Sequence, residues 1–289
     1  MTAAPIVCWG ELLWDLFPEG RRLGGTAANV AYHLAQLGRA TVLVSRVGDD
    51  EPGHAALERL EQSGVDVSQV QIDRESPTGT VGVTLVGGEP RYTLASGAAW
   101  DRIEYPPSLA PLVENSPALY YGTLAQRTPL GSASLGAALA DTAAHCWRVC
   151  DLNVRPPFAT HAVVDAALSA ARVVKLNEAE AALVAQRYST ADPIGWLIDR
   201  GVELVAATHG ERGALVATRA ARVEHGGFPV DTSRGDRVGA GDAFTAMLVH
   251  QLLAGRTPAQ VAERANRYAA YVASEPGAMP GMPPDLREL

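Results

Sequence analysis

Two glycines and an acid stand at the start of an apolar segment near the C-terminus. The run is Asp236-Arg237-Val238-Gly239-Ala240-Gly241-Asp242-Ala243-Phe244. Small residues at a helix start leave backbone N–H groups free to converge on an anion, and the helix dipole adds about half a positive charge. Asp242 would repel that anion, which suits a carboxylate that takes a proton from an attacking hydroxyl. The run indicates phosphoryl transfer, although a glycine loop with a helix-capping aspartate fits the spacing equally.

A second glycine pair precedes another predicted helix, in Leu23-Gly24-Gly25-Thr26-Ala27-Ala28-Asn29. At Gly25 the backbone could approach a ligand closely, and Asn29, one turn into the helix, could hydrogen-bond a polyol. Tight packing of the helix on a sheet explains the same pattern. Asp15 lies inside an apolar strand, where it either faces solvent or accepts hydrogen bonds from sugar hydroxyls.

Three further polar clusters follow predicted strands, at the edge of an α/β sheet where ligands bind. Asp151-Leu152-Asn153-Val154-Arg155 ends in a cation that could meet a phosphate or a substrate anion. Asn177-Glu178-Ala179-Glu180 fits a capping box, or groups that organise a hydrated metal near phosphate. Thr208-His209-Gly210-Glu211-Arg212-Gly213 fits a hairpin turn or the floor of a nucleotide site.

Short apolar strands alternate with helices along most of the chain. The predicted strands are residues 6–10, 41–45, 118–121, 149–152, 173–176, 204–208, 214–217 and 222–225, and the main predicted helices are residues 55–62, 134–145, 163–171, 193–199, 242–253 and 258–271. This alternation predicts an α/β fold with a mainly parallel sheet sandwiched by helices. Residues 80–95 instead alternate with period two around a glycine turn, which predicts a β-hairpin. With residues 11–24 the hairpin would form a small β-subdomain.

Composition narrows the class of protein. The 289 residues are 47% hydrophobic, as in an ordinary soluble globular protein, and no apolar run reaches the roughly 18 residues of a membrane span. The N-terminus lacks the basic start and apolar core of a secretory signal. A net charge of −8 argues against nucleic-acid binding, and three cysteines are too few for a disulfide scaffold. We therefore expect a cytoplasmic protein with a small-molecule substrate.

Lysine usage excludes further classes. Lys175 is the one lysine among 24 basic residues, and its neighbours Val174 and Leu176 do not form the Gly-Lys-Ser/Thr of a P-loop. The His-Arg-Asp and Asp-Phe-Gly signatures of protein kinases are absent. Phe244 occupies the position where a dinucleotide-binding pattern needs a third small residue, which argues against a dehydrogenase.

Together these motifs resemble the ribokinase-like (PfkB) carbohydrate kinases over nearly the whole chain. The resemblance rests on Gly24-Gly25-Thr26-Ala27-Ala28-Asn29-Val30-Ala31, on residues 47–53, on residues 236–244, and on the intervening motifs at Asn177 and Thr208. Gly10-Glu11 with Asp15, and Asp151-Leu152-Asn153-Val154-Arg155, look most like the fructokinase branch.

The resemblance implies transfer of phosphate from ATP, with Mg²⁺, to a sugar hydroxyl. It implies that Asp242 is the base and that the amides of Gly239, Ala240 and Gly241 form the anion hole. The other implied roles are sugar binding by Asp15, Gly25 and Asn29, ordering of Mg²⁺ and phosphate through water by Asn177 and Glu180, nucleotide contacts by Thr208, Gly210 and Gly213, an adenine contact by Asn266, and a monovalent cation such as K⁺ at Asp236 and Val238. Arg155 is a further candidate for substrate binding.

The resemblance also implies a division of the chain. Residues 1–10, 25–74 and 101–289 would form the α/β catalytic domain. Residues 11–24 and 75–100 would form a β lid that closes over the sugar and makes a homodimer contact.

Three departures from the family pattern bear on the substrate and the cation. Arg237-Val238 replaces the usual Thr-Thr and adds charge near the cation loop, Thr26 stands where ribokinases carry lysine, and Gly97-Ala98-Ala99-Trp100-Asp101 differs from fructokinases. The alternatives are a kinase of a ketodeoxygluconate-type sugar acid or of a nucleoside, and a sugar- or nucleotide-binding regulator without catalysis.

Overall fold

The fold is built on a large, mainly parallel sheet. The computed structural model describes residues 4–17, 20–86, 89–231, 233 and 235–287. Nine strands lie in the order β13-β12-β11-β10-β9-β8-β1-β4-β5. Their bounds are β1 Ile6–Trp9, β4 Thr41–Gly48, β5 Val70–Asp73, β8 Ala118–Gly122, β9 Trp147–Asp151, β10 Val173–Asn177, β11 Leu204–Thr208, β12 Ala214–Ala217 and β13 Arg222–His225. Only the pairings β11–β12 and β12–β13 are antiparallel in this sheet.

Helices cover both faces of the sheet. They are α1 Thr26–Gln36, α2 Glu51–Gln62, α3 Ala110–Asn115, α4 Pro129–Ala140, α5 His161–Ala170, α6 Glu178–Arg187, α7 Pro193–Asp199, α8 Ala240–Leu253, α9 Pro258–Ala273 and α10 Pro284–Arg287. Strand β1 shows why two layers are needed, because Ile6 and Cys8 enter one apolar core while Val7 and Trp9 enter the other. The predicted sandwich of helices around a parallel sheet is confirmed.

A second, four-stranded sheet lies in the order β3-β2-β6-β7. Its strands are β2 Leu13–Phe17, β3 Gly20–Gly24, β6 Gly79–Val86 and β7 Glu89–Leu94. Antiparallel pairing of β6 with β7 confirms the predicted hairpin, while the glycine turn predicted at residues 87–88 lies outside the described residues. The small sheet is therefore assembled from the two segments that interrupt the strand–helix alternation.

Helix starts differ from prediction where caps were overlooked. Helix α4 begins at Pro129, ahead of the predicted residue 134, because the Thr128 hydroxyl accepts from the Gly131 amide and proline suits the first turn. Helix α2 begins at Glu51, with Asp50 capping the Gly53 amide. In the part of the chain that the structure describes, none of the helices combines the length and the apolar character needed to cross a membrane.

Candidate active site

Helix α8 begins at a turn that gathers backbone amides. Gly239 precedes it with φ 77°, a left-handed conformation that favours glycine, and a Cβ there would lie 2.6 Å from Cα of Ala278. The first amides of a helix have no partner within it. Phe244 is only 2% exposed and anchors the helix in the core. The start of α8 is thus a fixed, positively polarised end, as predicted from the glycine spacing.

Asp242 lies in the first turn of α8 and is 8% exposed. Its Oδ2 accepts a hydrogen bond of 2.6 Å from Nδ2 of Asn29, on helix α1. Burial, with the negative charge of Asp151, raises the pKa of Asp242 to about 7, against the lowering effects of Asn29 and Lys175. A carboxylate with a pKa near neutrality suits a general base, because it binds a proton strongly and yet is substantially ionised at pH 7.

Lys175 and Asp151 form a buried ion pair below this turn. The Lys175 Nζ lies 3.1 and 3.2 Å from the two carboxylate oxygens of Asp151, and the Thr245 hydroxyl lies 3.1 Å from Asp151 Oδ2. Burial alone would lower the pKa of Lys175, but the charges of Asp151, Glu180 and Asp242 raise it. A Cβ at Gly241 would come within 3.1 Å of the Lys175 Nζ. Through Thr245 the pair therefore connects strands β9 and β10 to helix α8.

A cavity of about 650 Å³ opens above Asp242. The sequence-predicted residues Asp15, Gly25, Asn29, Arg155 and Asp242 all line it, together with Gly239, Gly241, Asp236 and Val238. The cavity is large enough for a hexose, and the carboxylates, amide and guanidinium in its mixed lining can bind hydroxyl groups.

Asp15 reaches the cavity from strand β2. Burial raises the pKa of Asp15 to about 6, while the charges of Arg155 and Arg22 act in the lowering direction. A Cβ at Gly24, on the neighbouring strand β3, would lie 2.5 Å from Asp15 Oδ2. Glycine at that position leaves the carboxylate room to turn into the cavity.

The first turn of α1 is shaped by a buried acid that we did not predict. Glu11 Oε1 accepts from both the amide and the hydroxyl of Thr26, at 3.2 and 2.5 Å. A Cβ at Gly25, whose φ is 101°, would lie 2.3 Å from the Glu11 carbonyl oxygen. Gly25 therefore packs closely on the backbone of Glu11, and it also lines the cavity.

A second cavity, of about 240 Å³, lies on the other side of Gly241. Thr208, Gly210, Gly213 and Asn266, all predicted to contact a nucleotide, line it. The loop after β11 connects two antiparallel strands and also lines this cavity, so the hairpin turn and the cavity wall predicted for residues 208–213 are compatible. Among the described residues Gly241 and Arg237 line both cavities, so the two cavities meet at the start of α8.

Comparison with known proteins gives the family. Residues 19–285 match the pfkB family of carbohydrate kinases. The chain belongs to this family. A fructokinase of Klebsiella pneumoniae is 31% identical, with 95% of this chain and 94% of that protein covered, and a fructokinase of Salmonella typhimurium is 32% identical, with 86% and 84% covered. The fold is shared with an ATP-bound fructokinase of Xylella fastidiosa, with TM-score 0.86, 22% identity, and 97% and 95% of the two chains covered.

In this pfkB-family kinase, Asn177 and Glu180 form the capping box at the start of α6. Glu180 accepts from the amides of Val154 and Asn177, each at 2.8 Å, so both carboxylate oxygens are engaged. Neither Asn177 nor Glu180 lines the two cavities. Among the described residues no group of three or more acidic, histidine or cysteine side chains could hold a metal. In this structure both oxygens of Glu180 therefore bind backbone amides, and its predicted role in ordering Mg²⁺ through water stays a prediction.

The carboxylate predicted to hold a monovalent cation already has three donors. Asp236 accepts from Arg22 Nη1 at 2.6 Å, from the Gly277 amide at 3.0 Å and from the Val238 amide at 3.1 Å. The guanidinium of Arg22 already gives Asp236 the neighbouring positive charge that a bound K⁺ would bring. The geometry at Asp236 therefore gives no support to a cation site in this member of the family.

Lys175, Asp151, Thr245 and Glu11 belong to the kinase site, and sequence reasoning assigned a role to none of them. Asp151 and Lys175 lie on β9 and β10, Thr245 lies on α8 and Glu11 lies between β1 and β2, so no spacing along the chain relates them. The sequence did contain one signal. Of its 24 lysine and arginine residues, all are arginine except Lys175.

Proposed function

We propose that this kinase transfers the γ-phosphoryl group of ATP to a hydroxyl of a neutral sugar, and that fructose is the substrate. One observation carries the proposal: Asp242 is buried at the floor of the hexose-sized cavity and at the start of the helix that separates it from the second cavity. The fructokinase relatives support fructose.

In the proposed mechanism Asp242 in its ionised form takes the proton of the sugar hydroxyl as that oxygen attacks phosphorus. The amides of Gly239, Ala240 and Gly241 donate to the phosphoryl oxygens, where negative charge is spread during transfer. Asp15 and Asn29 hold the sugar so that the attacking oxygen lies in line.

ATP would occupy the second cavity, with Asn266 near the adenine and Gly210 and Gly213 along the nucleotide. A divalent metal, Mg²⁺, would neutralise phosphate charge when bound with ATP. Mg²⁺ commonly keeps several waters and binds through substrate phosphates, which agrees with a water-mediated role for Glu180.

The four-stranded sheet would act as a lid, formed with residues 11–24 and 75–100, that closes over the sugar and excludes water. It carries Asp15 into the sugar cavity, while Leu16, next along β2, is 41% exposed. Because this exposed leucine belongs to the lid, it supports the use of the lid as a homodimer contact. The three cysteines are buried free thiols, which suits a cytoplasmic location.

A coupled ATP-consumption assay over a panel of sugars tests the proposal. Fructose should give the highest kcat/KM, and Asp242→Asn should lower kcat by about 10²–10⁴ with little change in substrate affinity. A variant with wild-type kcat would remove Asp242 from its role. Sugar binding without turnover by the wild-type protein would instead identify a regulator.

One observation favours a second candidate, a sugar acid of the ketodeoxygluconate type. Arg155 lines the sugar cavity and not the nucleotide cavity, so its cation is available to a substrate carboxylate. Asp15 partly balances that charge, which is why a neutral sugar remains our first choice. Arg155→Met should barely alter KM for fructose, whereas a sugar-acid kinase would show a large rise in KM for its acid.

A further inference from the structure

The nucleotide cavity has an unusual charge balance. Of the described residues that line it, one is a cation, Arg237, and one is an acid, Glu211. The Arg237 Nη2 lies 2.5 Å from the Glu211 Oε1. A nucleoside triphosphate brings several negative charges into this space. The bound nucleotide and Glu211 would therefore compete for the same guanidinium.

Arg237 is placed where phosphates must pass. It also lines the sugar cavity, and the only other residue described in both linings is Gly241, at the start of α8. The phosphoryl group that moves from ATP to a sugar crosses this junction. A cation at the junction would therefore lie beside the phosphates of a bound ATP, whereas Asn266 lines the nucleotide cavity alone.

The backbone at Arg237 is held in a costly conformation. Its φ is 61°, in the left-handed region that non-glycine residues rarely adopt. Such conformations cluster at ligand-binding sites. The neighbouring Asp236, fixed by Arg22 and by the amides of Gly277 and Val238, holds the chain in this path.

We propose that Arg237 is the phosphate-binding cation of the nucleotide cavity and that ATP displaces Glu211 from it. In the absence of nucleotide, Glu211 holds the guanidinium at the mouth of the cavity. The displacement costs little, because the side chains of the pair are 61% and 57% exposed and exposed ion pairs contribute little to stability. In exchange for this pair, Arg237 forms a charge-assisted, bidentate contact with a phosphate of ATP. The inference rests on the proposed use of ATP, and not on the choice of sugar.

Calorimetric titration with ADP, a non-hydrolysable ATP analogue and adenosine, each with Mg²⁺ and without sugar, tests the proposal. Arg237→Gly removes the guanidinium at a position whose backbone suits glycine, so the fold should be kept. We expect Kd for the ATP analogue to rise about 10- to 100-fold, the usual effect of losing a charged hydrogen bond. Kd for adenosine should not change.

The Glu211→Gln variant separates this role from a structural one. Removing the competing carboxylate should tighten binding of the ATP analogue, by about two- to fivefold. If the ion pair only stabilised the loop, both variants would bind all three ligands more weakly and to the same extent. That result would overturn the proposal. So would an unchanged affinity of Arg237→Gly for the analogue.

A matched control is available away from both cavities. Arg222 and Asp192 form an ion pair with similar side-chain exposure, 50% and 51%, and line neither cavity. Arg222→Met should leave all three affinities at their wild-type values. If the wild-type protein bound no nucleotide at all, the proposed function itself would fail, a result distinct from a wild-type-like Arg237→Gly variant.

Discussion

Replacing Asp242 with asparagine should inactivate the enzyme and stabilise the fold at neutral pH. Burial and the nearby charge of Asp151 make the ionised carboxylate costly in the folded protein. The amide carries no charge and keeps nearly the same shape. Asn29 Oδ1, which is buried without a hydrogen-bond partner, can accept from the new amide.

The size and pH range of the effect follow from the pKa of Asp242. A rise from the ordinary 3.8 to about 7 corresponds to about 4 kcal/mol, at about 1.4 kcal/mol per pH unit. Between these two pH values the folded protein binds the proton more tightly than the unfolded chain does, so wild-type stability falls as pH rises. The advantage of Asp242→Asn should be absent below about pH 4, grow towards pH 7 and stay constant above it.

Thermal unfolding of both proteins at a series of pH values, without ligands, checks this. For a protein of this size about 4 kcal/mol corresponds to a Tm increase of about 5–10 °C at pH 8. Asp199→Asn, which removes an exposed carboxylate at the end of α7, is the control for the loss of one aspartate elsewhere in the chain. A Tm difference independent of pH, or a less stable variant at pH 8, would refute the electrostatic account of Asp242.

Four further substitutions test other parts of the site. Asp15→Ala should raise KM for the sugar about 10- to 100-fold, through loss of a charged hydrogen bond, and leave KM for ATP unchanged; an unaltered sugar KM would show that Asp15 is not a ligand. Asp151→Asn should move the acidic limb of the kcat/KM–pH profile to lower pH, because the Asp151 charge raises the pKa of Asp242, and Lys175→Met should move it to higher pH; equal profiles would contradict the coupling. Gly239→Ala should lower stability by about 1–3 kcal/mol in urea unfolding, since φ is 77° and the new Cβ would meet Ala278; a wild-type midpoint would show that the turn adapts.

Local patterns predicted the large sheet well, because its strands are short, apolar and separated by helices. The predicted strands at residues 204–208, 214–217 and 222–225 have the observed bounds. Helix starts were less accurate, since a cap such as Thr128 precedes the apolar pattern and carries no periodicity. The pairing of β2 with β6 in the small sheet joins segments more than sixty residues apart, which no local pattern could specify.

The candidate site was predictable where one segment carries the chemistry. The run from Gly239 to Asp242 shows its helix start, its glycines and its acid in sequence, and the structure keeps them together. Lys175 and Asp151 are different, since each is an ordinary residue of a buried strand until parallel pairing of β9 and β10 sets them opposite one another. The cost of an unpaired charge in the core makes them partners, and that cost appears only after folding.

The burial of the one lysine side chain gives this protein a built-in reporter of unfolding. Lys175 is 7% exposed, so a lysine-specific protease finds no accessible cleavage point while the fold is intact. Once the chain opens, the same enzyme can cut it at a single internal bond and release two fragments.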